Sequence, residues 1–178
     1  MRVSGGTLGG RRVAVPGGII RPSMDRMRES VFASLGNLTG CSFLDMFSGS
    51  GIIALEAASR GADPIEAVEK DPLKRSTLLQ NVSLSPVRIW CRFMAVERYV
   101  MRARRYFDVI FCDPPFDYRF KWELVRTIAV SPLMQEGSRL LIHRPREDVP
   151  VVPLEALVQA GSKVYGRSVV DFFIASKK

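Results

Sequence analysis

Apolar positions recur at two different periods along the chain, and from about residue 41 the two periods alternate. In RPSMDRMRESVFASLG, Met27, Val31 and Leu35 fall every four residues with Phe32 beside them, which predicts a helix with one apolar face, closed by Gly36. CSFLDMF then predicts a strand, GIIALEAASRG a helix ending at Gly61, and PIEAVEK a second strand. DPLKRSTLLQNVSL follows as a helix with Pro72 in its first turn. VRIWCRF and DVIFC predict the third and fourth strands, residues 121–130 a helix, SRLLIH a fifth strand, and residues 153–160 a short helix. The tail KVYGRSVVDFFIAS divides into two strands with a turn between them.

Strands separated by helices are parallel neighbours, because a parallel connection has to cross back over the sheet. The fold class is therefore α/β, a mostly parallel seven-stranded sheet with helices on both faces. The last two strands lie too close for a crossover and are expected as an antiparallel hairpin at one edge. No repeat or linker divides the chain, so residues 1–178 read as one domain. Residues 1–20, with strand-prone stretches around glycine pairs, read as a basic N-terminal hairpin or a mobile arm.

Hydrophobic residues make up 47 % of the chain, enough for a packed core, and no apolar run approaches the ~20 residues a membrane span needs. Nothing near the N-terminus resembles a signal-peptide core, so a cytoplasmic location is expected. Cys41, Cys91 and Cys112 sit in or beside strand-like runs without a CxxC spacing, and His143 is the only histidine, which argues against a zinc site. The charge is more telling. The net value of +8 is carried by arginines clustered at 11–12, 21–26–28, 102–104–105 and 144–146. Excess basic charge also serves solubility, yet arginine forks match phosphate bidentately, which favours a nucleic-acid partner.

Ligands on such sheets bind beyond the carboxyl ends of the strands. The first turn there reads LDMFSGSGIIALEAA. Gly49 and Gly51 allow a sharp turn and a close approach of backbone to ligand, with the positive end of the next helix behind them. Glu69, about twenty residues on, ends the second strand and can accept both hydroxyls of a ribose. These features suit a nicotinamide dinucleotide and S-adenosylmethionine (SAM) alike, although Asp45 at the first strand's end is the acid that SAM enzymes place there. A tight turn with no ligand is a third reading.

DVIFCDPPF adds the discriminating feature. Two prolines forbid the fourth strand from continuing, so Asp113 ends at the same edge as Asp45, Gly49 and Glu69. A dehydrogenase has no use for Asp-Pro-Pro-aromatic at that edge, whereas an enzyme alkylating an exocyclic base amine does. The amine's lone pair is delocalised into its ring. The Asp113 carboxylate and the Pro114 carbonyl, fixed by Pro115, can hold both N–H groups and steer the lone pair toward a methyl donor. Phe116 can stack on a base swung out of its helix or loop.

With these segments in view, the chain resembles the RsmD-type family of bacterial enzymes that methylate the exocyclic N2 amine of a guanine in small-subunit (16S) ribosomal RNA. The resemblance runs through MRVSGGTLGGRRV, RPSMDRMRESVF, LDMFSGSGIIALEAASRGA, AVEKD, DPPF and YGRSVVDFF. It implies the Rossmann-like SAM-dependent methyltransferase fold, with Asp113, Pro114, Pro115 and Phe116 at the target base. Around SAM it implies Asp45, Phe47, Gly49, Ser50, Gly51, Glu69 and Lys70, the acids at Asp45 and Glu69 serving the methionine part and the ribose. Arg21, Asp25, Arg26 and Glu29 fall near the mouth of the site, and Arg11, Arg12, Arg21, Arg26 and Arg28 are the expected RNA contacts. Two positions depart from the family pattern. Met94 stands where an acid commonly meets the adenine, and Ile142-His143 stands for Glu-His, with His143 read as a satisfied strand-end residue rather than a general base.

The expected partner is ribosomal RNA or the small-subunit particle, engaged by a monomer and without a membrane. Two alternatives remain: a DNA adenine or cytosine amino-methyltransferase, and a non-catalytic RNA-binding protein on a decayed methyltransferase fold. Few residues follow Phe116 beyond those that complete the sheet, so a separate target-recognition domain is not expected.

Overall fold

The computed structural model describes residues 1–15, 22–150 and 156–176. Five helices, α1 (Pro22–Leu35), α2 (Ile52–Ser59), α3 (Arg75–Val82), α4 (Val96–Met101) and α5 (Lys121–Val130), flank seven strands. The strands are β1 (Phe43–Met46), β2 (Ile65–Glu69), β3 (Ile89–Phe93), β4 (Val109–Cys112), β5 (Arg139–Pro145), β6 (Leu157–Tyr165) and β7 (Ser168–Ala175). They form one sheet in the order β3-β2-β1-β4-β5-β7-β6. The first five run parallel, and β7 is antiparallel to both β5 and β6, as expected of the terminal hairpin. β1, β2 and β4 are buried along their whole length, which is why they read as mostly apolar runs, interrupted only by Asp45 in β1 and by Glu66 and Glu69 in β2. The chain order reverses between β1 and β4, and that switch point is where such sheets open a crevice.

Two apolar layers cover the sheet. One gathers Val31, Phe32, Leu55 and Leu78 from α1, α2 and α3 against Phe43, Ile65 and Phe111. The other packs Val96, Val100, Val125 and Ile128 from α4 and α5 against Leu44, Val68 and Ile110.

Three sequence expectations need correction or completion. Residues 153–155 lie outside the described residues, and from Leu157 the supposed helix is strand β6, whose ladder with β7 overrides the local helical pattern. α4 is an addition, six residues long and too short to show a period, although Val96 and Val100 bury one side. Of the hairpin or arm expected over residues 1–20, residues 16–20 lie outside the described residues, and residues 1–15 take the hairpin form, docked on the domain. Arg2 and Arg12 form an antiparallel bridge, and Val3, Leu8 and Val13 join the apolar layer beneath. Glu56 accepts from the Ser4 N–H and hydroxyl at 2.7 and 2.9 Å, and Ser59 Oγ accepts from Leu8 N–H at 2.8 Å. At Gly6 (φ +75°) a Cβ would lie 1.9 Å from the Ser59 carbonyl, so only glycine allows this closeness.

Candidate active site

The register of the sheet assembles the site. Met46, Cys112 and Ile142 are paired across β1, β4 and β5, so Phe47 and Asp113, which follow β1 and β4, leave the sheet beside His143, which continues β5 opposite Val170. A cleft of about 1140 Å³ opens there, between β1 and β4 and toward β5. Phe47, Glu69 and Lys70 line it on one side, and Asp113, Pro114, Pro115 and Phe116 on the other.

The turn after β1 is shaped by left-handed backbone at Phe47 (φ +63°), Gly49 (φ +55°) and Gly51 (φ +78°). The two glycines serve different ends. A Cβ on Gly49 would meet only the Phe47 carbonyl, at 3.9 Å, which leaves its face open. A Cβ on Gly51 would lie 2.6 Å from Leu78 Cδ1, so the absence of a side chain at Gly51 lets α2 and α3 close together. Ser50 is buried, its carbonyl accepting from Asn81 Nδ2 at 2.8 Å. Phe47, a non-glycine residue in a costly conformation, rests edge-on against Tyr118 with ring centroids 5.4 Å apart.

Glu69 ends β2 buried, accepting from Gly49 N–H and Asp71 N–H, each at 2.8 Å. Its carboxylate holds the glycine turn in place while keeping a second lone pair on each oxygen toward the cleft. Asp45 lies deeper, fully buried; Oδ2 accepts from Ala54 N–H at 3.1 Å, pinning the first turn of α2, while Oδ1 has no partner among the described residues. Burial holds the Asp45 carboxyl well above the usual carboxylate range, and the charges of Asp113 and Glu69 push it the same way. Three acids thus converge at one point of a protein that is otherwise basic. Glu69 and Asp113, on the two sides of the cleft, are acceptors suited to a ligand carrying cationic groups and sugar hydroxyls. Those are the sulfonium, ammonium and ribose of SAM, so the residues present fit that cofactor.

On the other side of the cleft, His143 Nδ1 lies 2.7 Å from Asp113 Oδ1. His143 is buried and its Nε2 has no partner among the described residues, while the Asp113 side chain keeps 21 % exposure. Asp113 lines the cleft with its Oδ1 taken by this contact. Phe116 packs edge-on against the His143 ring, centroids 5.4 Å apart, and remains 39 % exposed. The loop is closed by Tyr118 N–H to the Pro115 carbonyl at 2.9 Å, which leaves the Pro114 carbonyl outside that bond.

One sequence reading changes here, and one residue that sequence reading passed over is added. His143, read as a satisfied strand-end residue, contacts Asp113 through Nδ1, while its Nε2 has no partner among the described residues. Only the β4–β5 register could have revealed it. Lys121, the first residue of α5, is buried against the loop that carries Phe116. Met94, at the position of the expected adenine acid, is half-buried against the α4–α5 layer.

The arginines sort by burial. Arg11, Arg12 and Arg26 are exposed, and Arg21 lies outside the described residues. Arg28 is buried, its guanidinium held by Glu56, Asp25 and the Arg2 carbonyl at 2.8–2.9 Å, so it is not free to meet RNA. Its place in the sequence cluster hid a role in docking the N-terminal segment. Arg144 is likewise buried, paired with Asp171 of β7. Among the described residues no helix is long and apolar enough to cross a membrane.

Comparison with known proteins bears on this geometry. The chain is 28 % identical over 180 residues to YlbH of Bacillus subtilis, covering 97 % of this chain and 98 % of that one. It is 27 % identical to ribosomal RNA small subunit methyltransferase D of Escherichia coli K12, over 86 % of this chain and 79 % of that one. The solved structure of yhhF from Escherichia coli superposes with a TM-score of 0.90 at 25 % identity, covering 100 % of this chain and 99 % of that one. A more distant structure with the same fold (TM-score 0.71, 16 % identity, 88 % of this chain and 50 % of that one) is a complex with S-adenosylhomocysteine (SAH). The fold is therefore the Rossmann-like fold of SAM-dependent methyltransferases. The model of the family described as conserved hypothetical protein 95 matches residues 1–174, and the chain belongs to that family.

Proposed function

We propose that this protein, as one methyltransferase domain, transfers a methyl group from SAM to the exocyclic N2 amine of a guanine in small-subunit ribosomal RNA. The observation that carries the reading is the Asp113–Pro114–Pro115–Phe116 loop lining the switch-point cleft, with His143 engaging one oxygen of Asp113. The basic surface and the small-subunit RNA methyltransferase among its relatives support RNA as the substrate.

SAM bound against Phe47, Gly49 and Glu69 supplies an electrophilic methyl group. The chain's own residues do the rest. Asp113 Oδ2 and the Pro114 carbonyl accept the two N–H groups of the amine and turn its lone pair toward the donor. Phe116 stacks on the base, and the prolines keep both acceptors from rearranging, so little reorganisation is needed at reaction. Once methylated, the amine is acidic and sheds a proton to Asp113 or water. Exposed Arg11, Arg12 and Arg26 contact phosphates outside the cleft.

Labelled SAM incubated with ribosomal RNA and with small-subunit particles, followed by digestion and nucleoside analysis, tests this. N2-methylguanosine is the expected product. N6-methyladenosine, or label on DNA alone, would overturn the assignment.

A further inference from the structure

Lys121 is 3 % exposed, and its amine makes two hydrogen bonds and one ion pair. It donates to the Phe116 carbonyl at 2.9 Å and to the Tyr118 carbonyl at 2.7 Å, and it pairs with Asp148 Oδ2 at 2.9 Å. Two carbonyls and one carboxylate thus meet the buried head group. The other oxygen of Asp148 accepts from Trp122 Nε1–H at 3.0 Å. The first two residues of α5 thus fasten two separate loops: the one that follows β4 and carries Asp113 to Phe116, and the one that follows β5 and carries Glu147 and Asp148. Both loops line the cleft, through Asp113, Phe116 and Glu147, whereas Lys121 does not.

We infer that Lys121 and Asp148 form a buried strut that makes the two loops one rigid wall on the target-base side of the cleft, with Lys121 as a positioning residue for Asp113 and Phe116. Burying a lysine is costly unless it is fully paired, and an apolar residue would serve as well if this position only packed α5 onto the sheet. What the lysine adds is direction. By gripping the Phe116 and Tyr118 carbonyls it sets the peptide planes that follow Phe116 and Tyr118, and so the course of the short turn that carries the Phe116 ring away from Pro115. Through Asp148 the same amine ties that turn to the neighbouring loop. The inference rests on the proposed methyl transfer only in taking this wall as the one against which the base lies.

The test uses Lys121→Gln, Asp148→Asn and Lys121→Arg in the full chain. Amide hydrogen exchange is followed in peptides covering residues 114–120 and 146–150, with residues 49–59 as control. Both Gln and Asn variants are expected to speed exchange about tenfold or more in the two loops together, leaving the control unchanged. Calorimetric affinity for SAH should stay within about twofold, since the strut lies away from Glu69 and Gly49. In steady-state methylation of small-subunit ribosomal RNA, kcat should fall about 10- to 100-fold with KM little changed, as expected when reacting groups are misplaced by a fraction of an ångström. Lys121→Arg, which keeps several donors, should recover most of kcat.

Unchanged exchange in either loop overturns the strut, and so does a wild-type kcat in the Gln variant. If Lys121→Gln does not fold, Asp148→Asn decides, because it leaves the lysine its two carbonyl acceptors. If the unaltered protein transfers no methyl group to any RNA, the proposed function falls, while the exchange measurement still decides whether the strut exists.

Discussion

His143 Nδ1 and Asp113 Oδ1, 2.7 Å apart, join the ends of two neighbouring strands that are thirty residues apart in the chain. Asp113 follows β4 and His143 continues β5, so the contact follows from the pairing of Cys112 with Ile142 one position earlier. An imidazole N–H donated to one carboxylate oxygen fixes the plane of the carboxylate and so the direction of the other oxygen. The ring itself is buried and packs edge-on against Phe116.

Asp113→Asn should therefore lower methyl transfer by on the order of 10²–10³, the loss typical of one preorganised hydrogen-bonding group, with SAH affinity nearly unchanged. His143→Leu should give a smaller fall, about 10- to 100-fold in kcat, because Asp113 remains but loses its orientation. His143→Asn, which retains an N–H donor, should lie between. Single-turnover kinetics on ribosomal RNA would measure all three, and a His143→Leu protein as fast as the parent would remove the histidine from the site.

Glu69→Ala should weaken SAM and SAH alike, since both carry the same ribose. The loss of charge-assisted bonds is worth about 1.5–3 kcal/mol, or roughly tenfold to a hundredfold in affinity. Because Glu69 also accepts from Gly49 N–H and Asp71 N–H, part of that loss should appear as disorder of the glycine turn. Isothermal calorimetry with both ligands, paired with backbone amide shifts of Gly49 and Asp71, separates the two contributions.

The arginines of the N-terminal region should divide into two kinds. Replacing Arg11 and Arg12 together by Ala should reduce the salt dependence of RNA binding by about 1–2 units of log–log slope, leaving thermal stability unchanged. Arg28→Met should instead destabilise the fold by about 3–5 kcal/mol, because it strips buried Glu56 of one of its two arginine partners. Adding Glu56→Gln should restore part of that loss. Chemical denaturation of the three variants, alongside filter binding over a salt series, distinguishes these roles.

Asp45 makes stability depend on pH in a definite direction. Its native pKa is raised above the ordinary value of 3.8 by burial, so the native state holds the proton longer than the unfolded chain. The contribution of that neutral carboxyl is fully present below pH 3.8 and fades as pH climbs toward the native value. Asp45→Asn keeps an acceptor for Ala54 N–H without a charge. Its melting temperature should gain on that of the parent as pH rises from about 4 to about 8, and a difference that stays flat across the range would contradict this account.

The elements legible in the sequence are those whose signals are local. Strands β1, β2 and β4 are rich in apolar residues because both faces are covered, and the turn around Gly49 and the stop at Pro114 declare themselves through backbone chemistry that no neighbour has to supply. The acids at the ends of β1, β2 and β4 could be placed on one edge from parallel topology alone. Tertiary structure decided what depends on distant partners. Residues Leu157–Ala160 carry a helical pattern, yet the β7 ladder makes them strand. Arg28 and Arg144 read as surface charge until Glu56 and Asp171, far along the chain, bury them as ion pairs. Gly51 reads as a turn glycine, and only the packing of α3 sets Leu78 against it. His143 and Lys121 acquire their roles from inter-strand register and from a loop closing on a helix start. Both are relations between segments, and a one-dimensional pattern carries the propensity of each segment but not the partner it will meet.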